Sequence, residues 1–488
     1  MKRLFRRKNI QAMQAEAQSS QHLRRALGPA NLVMLGIGAI IGTGIFVLTG
    51  TVAAKHAGPA VVLSFVLAGV AAVFAAFCYS EFASLVPMSG SAYAYGYATL
   101  GEFFAWIIGW DLVLEYAVGA VTVAIGWSGY VVSFLKDVGI HLPPQLTAAT
   151  GHMVTLADGS TAVAWFNLPA VLIVAVVTTL LVVGIRESAG FNNAIVAIKL
   201  AVIMLFIFGA IWAVNPANYS PFIPEYESPR HFGWSGVFAG AQIVFFAYIG
   251  FDAVSTAAQE ARNPQRDMPI GIIGSLVICT VLYLLVSGIA TGVVPYKQLN
   301  VSDPIALVAD RAGLGWMATL IKVGAIAGLS SVILVMLYGQ SRVFWAMAND
   351  GLLPPFVNKV HPRFRTPWLT SIVTGVCVAF FAAVLTVSEA GELCSIGTLL
   401  AFVIVSVGIV VLRIREPHLP RAFKCPAVWF VGPMGALTAG TLMAFSSPTT
   451  WMRLLIWLAI GLVIYFTYSR HRSKLAHGQQ PDATTPAP

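Results

Sequence analysis

Charge is scarce in this chain. Only 10% of its 488 residues are Asp, Glu, Lys or Arg, where a soluble domain carries about 25%. Hydrophobic residues make up 58% and the mean hydropathy is +0.80. No soluble core could use that much apolar surface, so the composition specifies an integral membrane protein. Other absences narrow the class. No cleavable signal peptide is visible, because the first apolar run begins only after about 28 polar, basic residues and no A-x-A site follows it. The five cysteines, Cys78, Cys279, Cys377, Cys394 and Cys425, match no zinc or disulfide spacing and read as small buried hydrophobes. No phosphate loop, metal cluster or nucleophile–base pair occurs, which argues against an enzyme and implies neither metal nor cofactor.

What is present is a series of apolar runs. Windows of about 20 residues predict twelve transmembrane helices near 31–54, 60–86, 101–135, 166–184, 192–213, 235–259, 269–294, 316–348, 367–387, 391–412, 427–446 and 450–469. The third and eighth exceed the length of one crossing. Of the 29 Lys and Arg residues, 20 fall on the side that carries both termini, six on the other side and three inside helices. This bias predicts that both termini are cytosolic. The net charge of +9 then reflects topology and anionic lipid, not nucleic acid. Residues 1–27 read as a cytosolic arm, residues 471–488 as a disordered tail, and Asp158-Gly159 as the turn of a hairpin in the longest outer loop.

Two of the runs are interrupted by glycine. The first reads Gly36-Ile37-Gly38-Ala39-Ile40-Ile41-Gly42-Thr43-Gly44-Ile45-Phe46 and the second Phe245-Phe246-Ala247-Tyr248-Ile249-Gly250-Phe251-Asp252. Interrupted segments at corresponding places in two halves point to a transporter's binding site, because backbone groups freed by a helix break must line a protein-walled cavity. Gly38 and Gly42 also fit a packing GxxxG pair. A break at Gly42-Thr43-Gly44 would present N–H groups at a positive dipole end, suited to a carboxylate. The inner half-helix would end near Ile40 and Ile41 with carbonyls suited to an ammonium. At the second break, near Gly250, the carbonyls of Phe246, Ala247 and Ile249 would be freed. A ligand with both charges on adjacent atoms, an α-amino acid, fits. Asp252 reads either as a cap of the restarted helix or as an attractor for a cation. With five helices per unit the second unit enters from the opposite side, so the two breaks face each other near the midplane as parts of an inverted repeat.

Two charges lie deep in helices. Glu115 is about 18 Å into the third helix at 1.5 Å per residue, too far for a short side chain to reach water. It is either functional or a neutral, hydrogen-bonded structural group. Lys199, in the fifth helix, either snorkels or points inward and exchanges protons.

Several motifs resemble the amino acid–polyamine–organocation superfamily: Gly42-Thr43-Gly44-Ile45-Phe46, Ala57-Gly58-Pro59, Tyr79-Ser80-Glu81-Phe82 and Pro87-Met88-Ser89-Gly90-Ser91-Ala92-Tyr93. Phe245–Glu260, Asn263-Pro264-Gln265-Arg266-Asp267-Met268-Pro269 and Asp350-Gly351-Leu352-Leu353-Pro354 look like its bacterial cationic amino acid transporters. The resemblance spans about 26–470 in motif order. It implies an all-α, LeuT-type fold: inverted repeats over 28–213 and 214–413, then two further helices over 414–470. It implies a carboxylate site at Thr43 and Gly44 and an ammonium site at the carbonyls of Ile40, Phe246, Ala247 and Ile249. Phe246 would gate the substrate, Met336 and Glu115 would border its side chain, and Lys199 would take the place of a coupling sodium. The implied function is proton-coupled import of L-amino acids, small neutral ones such as alanine and also cationic ones such as arginine; the bulky, apolar Met336 departs from the family and would favour the alanine-like ones. Exchange, uniport or non-translocating reception are the alternatives. The expected partners are the L-amino acid, protons and membrane lipid of a bacterial inner membrane, with a monomer as the simplest assembly.

Overall fold

A computed structural model describes residues 6–8, 27–86, 91–156, 158–184, 189–364 and 366–475. Most of the predicted arm and tail, and the Pro87-Met88-Ser89-Gly90 part of one motif, lie outside these residues. The apolar runs form helices: α1 (Pro29–Ile40), α2 (Val61–Leu85), α3 (Ser91–Thr99), α4 (Glu102–Asp137), α5 (Leu168–Val183), α6 (Ala189–Ala210) and α7 (Gly233–Val244). They continue with α8 (Pro264–Val293), α9 (Pro304–Arg311), α10 (Gly315–Asn349), α11 (Trp368–Val384), α12 (Val387–Arg415), α13 (Val428–Ala444) and α14 (Pro448–Ile464). Eight helical stretches are long and apolar enough to cross a membrane and four more are apolar but shorter, which makes this a multi-pass helical protein. The two runs expected to be long are α4, with 36 residues, and α10, with 35.

Local chemistry sets the helix ends. Asn167 accepts the Ala170 N–H before α5, and α5 stops at Gly184 in the left-handed region at φ +83°. Thr386 and Glu389 form a reciprocal capping box at the start of α12. Pro264 opens α8, five residues before the predicted start at 269, because a proline at the first helical position loses no hydrogen bond. The expected hairpin pairs Met153–Thr155 with Thr161–Val163 about Gly159, at φ +82°.

Both described chain ends meet on one face. Arg6 Nη1 donates to Leu475 O at 3.2 Å, Glu102 N donates to Arg6 O at 2.9 Å, and Lys8 Nζ pairs with Asp350 at 2.6 Å. We call this the terminal face and the opposite one, about 54 Å away along α4, the hairpin face. The interior is built around the two broken helices. In the stretch Gly233–Ser255, 94% of the most apolar window is buried, against 22% for Pro448–Arg472, so α7 is central and α14 peripheral. Around that centre α4 packs on α10 and α12, and α8 packs on α1 and α2.

Candidate functional site

Both predicted breaks occur. α1 stops at Ile40, residues 41 and 42 leave the helical path, and a π-helical turn, Gly44–Leu48, resumes it. α7 stops at Val244, a 3₁₀ turn covers Phe245–Tyr248, and Gly250 adopts φ +117° before a short helix, Ala253–Thr256. Only glycine takes that backbone conformation without strain. The breaks touch. A Cβ on Gly44 would stand 2.3 Å from Ala247 Cβ, and one on Gly250 would stand 2.9 Å from Ala39 O. The two readings of the first glycine pair divide between its members. Gly38 packs closely on Val196 of α6, where a Cβ would meet Cγ2 at 2.7 Å, whereas Gly42 has nothing nearer than 3.8 Å and belongs to the break.

A side chain the sequence reading passed over ties the breaks together. Tyr283 of α8 places its hydroxyl 3.0 Å from Ile40 O and 2.7 Å from Ala247 O. These are two of the four carbonyls expected to receive an ammonium. A third, Phe246 O, accepts the Ile249 N–H at 3.2 Å, so it is not freed as expected. Asp252 does not cap the restarted helix; its Oδ1 accepts the Gly250 N–H at 3.2 Å within the break itself. The hydroxyl of Thr43 is fully buried and has no hydrogen-bond partner among the described residues.

Lys199 does not snorkel. It is 1% exposed, and its ammonium donates to Gly38 O at 2.9 Å and Ile41 O at 3.1 Å. An intact helix would pair Gly38 O with the Gly42 N–H; the break hands that acceptor to the lysine. Its stem lies against Gly328 of α10, where a Cβ would meet Cε at 2.7 Å. Lys199 therefore joins α6, α1 and α10 at one point.

α4 lines the other side. Gly126 faces Thr43, whose Oγ1 lies 2.7 Å from its Cβ position, and a Cβ on Gly119 would stand 3.5 Å from Met336 Sδ and 3.6 Å from Cys394 Sγ. One turn before Gly119 on α4 lies Glu115, 1% exposed, with Oε1 unpartnered among the described residues. Every predicted substrate residue, Ile40, Thr43, Gly44, Glu115, Phe246, Ala247, Ile249 and Met336, is buried. On the hairpin face, Arg230 bonds Glu392 of α12, whose Oε1 also accepts the Ser447 N–H at 2.7 Å. On the terminal face, Asp350 at the end of α10 takes both Lys8 and the Tyr93 hydroxyl, each at 2.6 Å. The sequence reading missed Tyr283, for which an apolar helix gives no signal. It also missed the fully buried Asp111, whose signal was its spacing of one turn from Glu115.

Paired helix breaks enclosed by apolar helices, with a buried cation on one and a hydroxyl bridging both, are the architecture of a membrane transporter. The amino acid permease family model matches residues 27–473, and the chain belongs to that family. It is a family of transporters, not enzymes. Among its relatives, the branched-chain amino acid permease BcaP of Bacillus subtilis is 50% identical over 97% of this chain and 99% of the relative. A methylthioribose transporter of the same organism is 46% identical over 97% of this chain and 100% of the relative. The vacuolar cationic amino acid transporter 4 of Arabidopsis thaliana is 38% identical over 86% of this chain and 68% of the relative. The resemblance read from the motifs is thus borne out.

Proposed function

We propose that this chain is a secondary active importer of L-amino acids that works by alternating access and proton symport. The observation that carries the reading is the meeting of the two breaks, Gly44 against Ala247, beside the carbonyls that Tyr283 bridges. The start of the π turn at Thr43 and Gly44 offers N–H groups to a carboxylate. The carbonyls of Ile40, Ala247 and Ile249 offer acceptors to the adjacent ammonium, and that of Phe246 would contribute only beside its bond from the Ile249 N–H. Phe246 gates the substrate, Met336 borders its side chain, and Glu115 lies deeper on the same face of α4. Lys199, bonded to the first break, is the coupling group: its proton links the occupancy of that break to the pH gradient.

The architecture that suits this cycle is twelve crossings, with inverted repeats over 28–213 and 214–413 and two further helices over 414–470. Each repeat opens on a broken helix, which supports the division. The excess of Lys and Arg on the segments of the terminal face supports a cytosolic location for both ends in a bacterial inner membrane. The apolar thioether of Met336 favours neutral aliphatic substrates from alanine to the branched-chain residues over arginine, and the 50% identical relative is named for branched-chain amino acids. Purified protein in liposomes tests the reading. An imposed pH gradient, alkaline inside, should drive accumulation of labelled L-alanine or L-leucine. Uptake indifferent to the gradient would sink symport, and counterflow without net accumulation would identify an exchanger or uniporter.

A further inference from the structure

Asp111 is a buried acid for which the cycle above has no use. It lies on α4 one turn before Glu115, is fully buried, and neither of its carboxylate oxygens has a hydrogen-bond partner among the described residues. Its Oδ1 sits 3.0 Å from the point where a Cβ on Gly397 of α12 would stand. An ionised side chain in a membrane interior costs roughly 2.5–3.5 kcal/mol or more and is by default functional.

Its place on α4 indicates what it handles. Gly126, Thr122, Gly119, Glu115 and Asp111 follow one another at helical spacing and share a face. Contacts along that face agree: Gly126 meets Thr43, Gly119 meets Met336 and Cys394, Cys394 Sγ donates to Glu115 O at 3.3 Å, and Asp111 abuts Gly397. The face thus runs from the proposed carboxylate seat, past the side-chain pocket, to two carboxyls in line toward the terminal face, where α4 begins at Glu102. Asp111 is about 22 Å along the axis from Gly126, whereas an extended arginine spans only about 9 Å from carboxylate to guanidinium. No amino acid seated at Thr43 reaches Asp111. Glu115 is about 6 Å nearer and interacts electrostatically with Asp111.

We propose that Asp111 is a proton-transfer residue, which passes the proton between Glu115 and water at the terminal face. The proposal rests on the symport reading above. In the step itself the O–H bond of the Glu115 carboxyl breaks and an O–H bond forms on the Asp111 carboxylate, directly or through one water. Asp111 then releases the proton to cytosolic water and returns to the anion; nothing is oxidised or reduced. The titratable groups around the pair are Asp252 at the second break, Tyr79 of α2, Tyr116 of α4 and Cys394 of α12, with Arg342 of α10 acting on Tyr116. No ion pair to Asp111 occurs among the described residues.

The test compares two transport modes in the same liposomes, with L-alanine and L-leucine as probes. Asp111→Asn should lower pH-driven accumulation by about tenfold or more while counterflow, which needs no net proton movement, persists. Asp111→Glu, which keeps the acid, should restore accumulation with a shifted pH profile, and this is the readout to use if the Asn variant is too unstable to purify. Wild-type accumulation by Asp111→Asn would overturn the proposal. So would a parallel fall in counterflow, or an Asp111→Glu variant with the wild-type pH profile. Wild-type protein that ignores the gradient would instead overturn the symport reading, and the relay with it.

Discussion

Lys199 occupies two carbonyls at the first break, and that contact defines a test at the scale of the residue. Lys199→Ala should abolish pH-driven accumulation yet leave the thermal stabilisation by bound amino acid, measured on purified protein. Accumulation that survives would remove Lys199 from the coupling mechanism. Gly44→Ala probes the backbone instead. Its added methyl would meet Ala247 Cβ at 2.3 Å, so the breaks must separate, at a cost of about 1–3 kcal/mol and with uptake lost. Met336→Ala should deepen the pocket and raise arginine uptake relative to alanine in a competition assay, at a stability cost of about 2–5 kcal/mol. Glu115 and Lys199 were legible in the sequence because a charge deep in an apolar helix is costly unless it has a partner or a task. Tyr283 was not legible, since its role depends on α8 lying across both breaks, a tertiary fact that no local pattern encodes. Asp252 had two readings in the sequence, cap or cation attractor, and the bond its Oδ1 accepts from the Gly250 N–H inside the break is a tertiary detail that neither reading contained.

Among the elements, α12 carries the most separate duties. It supplies Glu392 to the Arg230 contact, Cys394 to the pocket and Gly397 to Asp111. Its start is fixed by Thr386, whose hydroxyl accepts the Glu389 N–H at 3.3 Å while Glu389 Oε2 accepts the Thr386 N–H at 3.1 Å. Thr386→Ala should lower stability by about 1 kcal/mol, read as a lower thermal midpoint in detergent. An unchanged midpoint would show that packing on α4 and α13, not the cap, fixes this end. The helices were easy to read because apolar length alone marks them, and α4 and α10 stood out by excess length. The breaks were legible through glycine. The π and 3₁₀ turns that replace the regular helix around them were not, because they follow from contacts with the other break.

For the whole molecule, the reading predicts which ligands stabilise it. A ligand that binds only the folded protein adds about 2.7 kcal/mol at a concentration of about 100 times its Kd. Neutral L-amino acids should therefore raise the thermal midpoint. The matching amines, which lack the carboxylate, and the matching carboxylic acids, which lack the ammonium, should not. A screen in which methylthioribose stabilises the protein and no amino acid does would overturn the amino acid reading. Composition expressed the membrane class directly. The pairing of the two halves was inferred from an odd helix count per unit, because identity between them is too weak to display it.

The two glycine contacts at the breaks are reciprocal: Gly44 lies against the backbone of the second break and Gly250 against that of the first. Neither position can gain a side chain without parting both strands of the site. On the proposed reading, changes in ligand choice fall to the far wall, on the faces of α4, α10 and α12. If the breaks hold the common part of the ligands as proposed, that grip is a fixed stencil, and a change of diet must be made at the other end.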